Sequence, residues 1–222
     1  METIVSTLGQ RRPLHFREEV ANSVSHGLAL ILAIAGLPLL LFSAARVGST
    51  QFTIGAALFG ASIIVLYLAS TLYHSVTHER AKQFFRHVDH CAIFLLIAGS
   101  YTPFTLGVLR GPWGWTLLAI VWALAVAGIS MKLIAGHRHW WLSMVLYVVM
   151  GWLAIVAIKP ILTLVPLPGI LLILAGGIAY SGGLIFFAAH RLRYNHFIWH
   201  LFVMAGTVCH YLAVIWYGHS AI

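Results

Sequence analysis

The sequence predicts an all-α integral membrane protein with seven transmembrane helices, its N-terminus cytoplasmic and its C-terminus external. Three observations lead there. The 222 residues are 61% hydrophobic and only 8% charged, against roughly 25% charged residues in a soluble domain; water could not solvate such a surface, and lipid can. Seven continuous apolar runs each approach the ~20 residues that cross the hydrocarbon core, and their lack of alternation excludes barrel strands. The Lys and Arg residues are also asymmetric. With the N-terminus inside, ten of them (Arg11, Arg12, Arg17, Arg80, Lys82, Arg86, Lys132, Arg138, Arg191, Arg193) fall in inside segments and three (Arg46, Arg110, Lys159) outside, as the positive-inside rule requires.

The elements follow in order. Residues 1–25 form a polar cytoplasmic segment with no apolar core, so no cleavable signal peptide is expected. The first span, 26–45, opens at His26 in "HGLALILAIAGLPLLLFSAA". The second, 53–76, descends to the cytoplasm and ends in "LASTLYHSV". The third, 88–109, begins "VDHCAIF" and carries Pro103, which removes a backbone donor and is expected to kink it. Trp113 and Trp115 lie at the start of the fourth span, 113–134, and Trp140 and Trp141 at that of the fifth, 140–158, as interfacial anchors do. The sixth, 167–189, contains "AGGIAYSGG", small residues at helical spacing that suit close helix packing. The seventh, 196–217, opens with "HFIWH" and ends near Trp216. Together they make one seven-helix membrane domain, 1–222, multi-pass in the inner or plasma membrane of the cell.

The charge pattern excludes nucleic acid as a partner. Only five residues are acidic, so the net charge of +8 reflects scarce acid as much as abundant base, and the basic residues are scattered between apolar runs rather than gathered into a patch. Cys91 and Cys209 belong to different depths, and no disulfide is expected between them.

Thirteen histidines need an explanation. Ionisable residues inside spans are functional-site hypotheses by default, and here they gather at the cytoplasmic ends. Ser70 and His74 are four residues apart on one face of span two, His196 and His200 are four apart on one face of span seven, Asp89 is the only aspartate, and Glu19, Asn22, Ser25 and His26 cluster where span one begins. The charge count that set the topology did not use most of these residues. His74, His196 and His200 supply three neutral imidazoles, a catalytic zinc arrangement that leaves one coordination position for water. Zinc lowers the pKa of that water to about 7. Phe197 stands where the metalloprotease motif would place its glutamate, so the carboxylate must come from elsewhere, and Asp89 is the candidate at the right depth. The alternative for Asp89 is a helix cap. Ser70 is a candidate to hydrogen-bond a ligand, a water or a substrate oxygen, or else to bond back to its own helix. Glu19, Asn22 and His26 are possible supporting residues, with capping and packing as their alternative. His210 reads as an interior polar contact. His78, His87, His90, His137, His139 and His190 fall in or beside cytoplasmic loops, in water or the headgroup zone.

"EVANSVSHG" at 19–27, "STLYH" at 70–74, "HVDH" with "GSYTPF" across 87–104 and "HFIWH" at 196–200 resemble the hemolysin III proteins, which group with the progestin and adiponectin receptor family and, more widely, with alkaline ceramidases. The resemblance runs from about residue 18 to 217. It implies seven helices with the N-terminus inside, zinc held by His74, His196 and His200, the aspartate beside the metal water at Asp89, and the family's serine at Ser70. It also implies lipid amide hydrolysis as the chemistry, and for the bacterial branch membrane damage or tuning of membrane lipid state.

Three functions follow. The first is a zinc-dependent intramembrane hydrolase of a lipid amide or ester, whose partners are the bilayer and a membrane lipid. The second is a non-enzymatic receptor or regulator with structural zinc, which needs a fourth protein ligand. The third is a pore or transporter, which needs polar groups through the full depth of the membrane; the outer halves of the spans offer little beyond His210, Thr207 and Ser181. The sequence sets no oligomeric state.

Overall fold

The computed structural model describes residues 16–219 apart from 137, 139 and 190. Arg11, Arg12, His137, His139 and His190 therefore lie outside the described residues. Within them every regular element is helical: α1 (Phe16–Arg46), α2 (Thr50–Ser75), α3 (Glu79–Leu106), α4 (Pro112–Ala135), α5 (Trp140–Gly151), a 3-10 turn (Leu153–Ala157), α6 (Ile158–Leu164), α7 (Leu167–Ala188) and α8 (Asn195–Tyr217). Six segments are long and apolar enough to cross a membrane: α1, α2, α4, the run Trp140–Leu164, α7 and α8. The protein is a multi-pass membrane protein. Large apolar side chains such as Ile31, Leu32, Phe42, Ile134 and Ile185 face outward, while Asn22, His26, Ser70, His74, Asp89 and His200 are buried.

The remaining long helix, α3, lies inside the bundle. Its buried side includes Asp89, His90, Ser100, Thr102 and Thr105. Those residues lower its hydropathy, and its neighbours shield them from lipid. Helix α3 packs against α2 and α4, α2 against α1, α1 against α8, and α8 against α7. The run Trp140–Leu164 touches α3, α4 and α7 only sparingly, so it is the loosest wall of the bundle.

Three boundaries differ from the sequence reading. Helix α1 starts at Phe16, not His26. Glu18 and Glu19 occupy its first turn, where the helix dipole favours negative charge, and Glu18, Asn22, Ser25, His26 and Ala29 form one buried stripe. A polar segment can be helical when its polar face turns inward. Helix α3 starts at Glu79 rather than 88, with a first stretch braced by Gln83 Nε2 donating to Glu79 Oε1 at 2.8 Å. The fifth span is broken: the helix that ends at Gly151 gives way to the 3-10 turn and restarts at Ile158, which puts Pro160 in a first turn, where its missing N–H costs no helical hydrogen bond. The Tyr101 hydroxyl bridges the gap, donating to the Gly151 carbonyl at 3.0 Å and accepting from the Ala154 N–H at 3.0 Å. This supplies backbone partners that lipid cannot. The small residues of α7 do bring α8 close: a Cβ on Gly183 would lie 2.8 Å from the rings of Trp199 and Phe202's Cβ.

Candidate metal centre

Helices α2 and α8 bring His74, His196 and His200 together, with one ligand atom of each within 4.8 Å of the others. His74 Nε2 and His196 Nε2 are 3.2 Å apart. That separation matches the roughly 3.3 Å edge of a tetrahedron whose Zn–N arms are about 2.05 Å. Two of the three rings are oriented from behind. His74 Nδ1–H donates to Glu19 Oε2 at 2.5 Å, which turns its Nε2 lone pair toward the cluster. Ser25 Oγ donates to the Asn22 carbonyl at 2.9 Å, so its lone pair accepts from His200 Nδ1–H at 3.3 Å and leaves His200 Nε2 for the centre. This is the arrangement in which partners of the distal imidazole nitrogen set the tautomer and aim the ligand. Three imidazoles with nitrogens turned toward a common point, backed by a carboxylate and a hydroxyl, fit a metal ion.

The local backbone explains the placement. Tyr194 adopts a left-handed conformation (φ 58°) just before α8. A non-glycine residue there is uncommon and must be held by its surroundings. The buried Glu18 carboxylate does so, accepting the Tyr194 N–H at 2.9 Å, and Asn195 Nδ2 donates to the Phe186 carbonyl at 3.2 Å. The entry to α8, and with it His196, is thus tied to both α1 and α7.

A second polar layer lies beside the histidines. His26 stacks on His200 with ring centroids 3.5 Å apart and planes 8° from parallel. His26 Nδ1–H donates to Ser70 Oγ at 2.7 Å, and the Ser70 hydroxyl in turn reaches the Asp89 carboxylate. His26 Nε2 and Asn22 Oδ1 are buried with no partner among the described residues. Ser70, Asp89, His26, His196 and His200 share the wall of a cavity of about 90 Å³, whose far side is apolar: Leu66, Ile93, Leu184 and Val203.

Residues 14–211 match the protein family described as Haemolysin-III related. The chain belongs to the haemolysin III family. Among curated relatives, it is 47% identical to "Hemolysin-3" of Bacillus cereus over 201 residues, covering 90% of this chain and 92% of that one. It is 44% identical to "Hemolysin-3 homolog" of Bacillus subtilis (strain 168) over 201 residues, covering 90% and 94%. A more distant likeness, 27% over 218 residues, links it to "Monocyte to macrophage differentiation factor" of Homo sapiens, covering 93% and 86%.

Within this haemolysin III chain, the structure places His74, His196, His200, Ser70, Asp89, Glu19, Asn22 and His26 at one end of the bundle. Asp89 is not in a first turn, because α3 begins ten residues earlier at Glu79; capping does not account for it. Glu19, read from sequence as preceding the first span, is on α1 and touches a candidate ligand. Ser25, grouped in the sequence with Glu19, Asn22 and His26 but given no role there, orients His200. Two further participants were not singled out. Lys82, read only as a topology charge, places Nζ 3.0 Å from Glu19 Oε1 and also donates to the Tyr73 carbonyl at 3.3 Å. His90, expected in the headgroup zone, is buried and lines the cavity; no local pattern marked it. Cys91 and Cys209 are free thiols.

Proposed function

We propose that this protein is a zinc-dependent intramembrane hydrolase that cleaves a membrane lipid amide or ester. The observation that carries the reading is the three-imidazole cluster opening onto a cavity that is polar at one end, with Ser70 and Asp89, and apolar beyond. When bound by His74, His196 and His200, zinc supplies a Lewis acid for the substrate carbonyl and makes a coordinated water a stronger acid. Zinc suits three neutral nitrogen donors better than magnesium or calcium, which prefer oxygen. The Asp89 carboxylate takes the proton from the water that adds to the carbonyl carbon. It returns that proton to the nitrogen or oxygen that leaves as the C–N or C–O bond breaks. Ser70, donating to Asp89 and accepting from His26, fixes the orientation of that carboxylate. Glu19 and Ser25 accept the Nδ1–H of His74 and His200, which leaves the Nε2 lone pairs to face the metal. The surrounding helices exclude bulk water, which strengthens each of these polar interactions.

The test compares zinc content and turnover in the same purified preparations. The unmodified protein should hold one zinc per chain, and the His196→Ala/His200→Ala double variant should hold none. Asp89→Asn should keep its zinc and its fold while hydrolysis of lipid amides or esters falls by about two orders of magnitude or more. Full turnover in Asp89→Asn removes Asp89 from the mechanism. No turnover by the unmodified protein across a broad panel of lipid amides and esters removes the hydrolase reading.

The relatives named hemolysins favour a second reading, membrane damage. Hydrolysis and damage separate in the same variant: lysis that persists in Asp89→Asn does not depend on the proposed chemistry.

A further inference from the structure

The cavity at the metal centre continues. A second cavity, of about 340 Å³, shares with it Ser100, Tyr101, Gly151, Trp152, Gly177 and His210. It runs on between apolar residues such as Phe104, Leu117, Ile161 and Ile173. The junction lies beside the loosely packed run Trp140–Leu164. Polar side chains return to the wall of the passage here. His210 is ten residues beyond His200 on α8, about 15 Å along the helix axis, too far to act at the metal.

The hydrogen bonds at the junction leave two polar atoms unspent. Tyr101 has both roles of its hydroxyl committed to the break in the fifth span. The Tyr180 and Tyr67 hydroxyls are each 2.9 Å from Thr207 Oγ1, which donates to the Val203 carbonyl. Ser181 Oγ accepts from Trp152 Nε1 at 3.0 Å, and its own proton has no acceptor among the described residues. His210 Nε2–H donates to the Ile173 carbonyl at 3.2 Å, which leaves Nδ1 as an acceptor. Space is reserved for this imidazole: a Cβ on Gly176 would collide with its Cδ2 and Nε2. An acceptor and a donor on the wall of an apolar passage match a group that both donates and accepts. A hydroxyl does both, a carbonyl only accepts, and a plain methylene does neither.

We propose that His210 and Ser181 form a second polar subsite that recognises a hydroxyl group partway along the acyl chain of the lipid ligand. This deepens the reading above and rests on its lipid ligand, though not on its chemistry. The metal centre takes the polar end of the ligand, the deep cavity takes the chain's terminus, and the subsite selects chains oxygenated in the middle over plain ones.

Direct binding tests it without requiring turnover. Stearate and a series of hydroxystearates, with the hydroxyl moved stepwise along the chain, compete with a fluorescent fatty acid for the zinc-loaded protein in nanodiscs. A mid-chain isomer should bind about two- to tenfold more tightly than stearate, the range expected for one net hydrogen bond, and isomers hydroxylated near either end should not. His210→Phe, which retains a flat ring against Gly176, should abolish the preference and leave stearate binding unchanged; Ser181→Ala should reduce it. The positional scan needs only the unmodified protein, so it stands even where a variant fails to fold. Equal binding of every isomer and stearate overturns the proposal, as does a preference that survives both substitutions. Stearate binding without preference leaves the hydrolase reading intact. A mid-chain preference with no hydrolysis of any lipid amide or ester removes the hydrolase reading and leaves the subsite standing.

Discussion

At the scale of single residues, the candidate ligand histidines His74 and His200 are set by groups that do not line the cavity. Glu19 is the clearest case. Its carboxylate receives His74 Nδ1–H and also faces Lys82, which in turn donates to carbonyls at the end of α2. Lys82 therefore holds Glu19 in a position that serves His74, and both remain partly exposed. Partners of this kind typically contribute 10- to 100-fold in metal affinity. Glu19→Gln keeps the shape but cannot supply a full negative charge. It should weaken zinc binding about tenfold, measured by competition with a chelator of known affinity, while the helical content is unchanged. Unaltered affinity would reduce Glu19 to a surface ion pair, and such pairs contribute little.

At the scale of elements, two adjacent glycines in α7 make a sharp comparison. A Cβ on Gly176 would strike the His210 ring, whereas one on Gly177 would meet only Trp152, at an ordinary 3.8 Å. Gly176→Ala should destabilise the protein by about 1–3 kcal/mol, the usual range for overpacking. Gly177→Ala should be neutral or mildly stabilising, since alanine is the better helix former. Thermal unfolding in detergent of the two variants side by side checks this. Equal effects would mean that α7 and α8 can separate at no cost, contrary to their close packing. The break in the fifth span belongs to the same scale. A continuous fifth helix could pack more evenly on α3 and α7. The broken one leaves space that Tyr101 bridges through the freed backbone groups.

At the scale of the whole molecule, the orientation decides which leaflet the candidate metal centre would serve. The ten-to-three distribution of Lys and Arg predicts that the ends of α1, α2, α3 and α8 that carry the histidines lie on the cytoplasmic side. A reporter after Ile222 should therefore report an external location, and one in the loop before Lys82 an internal one. The reverse pattern would move the site to the other leaflet without altering its geometry.

The sequence by itself determined the helical, membrane-dissolved nature of the chain, because apolar length and scarcity of charge do not depend on which helices meet. It also singled out His74, His196, His200, Asp89 and Ser70, since ionisable groups in apolar runs are costly and four-residue spacing puts a pair on one helical face. It placed helix starts poorly where polar residues turn inward. Hydropathy reads Glu18, Glu19 and Asn22 as solvent-facing, and only contact with α2 and α8 makes them interior. Tertiary structure alone decided that Glu19 aims His74, that Ser25 aims His200 and that His26 stacks on His200, because each contact joins residues at least 55 positions apart. It alone decided that His210 faces a passage continuous with the metal centre. A passage is made by the gap between helices, and periodicity along one helix carries no record of the space its neighbours leave open.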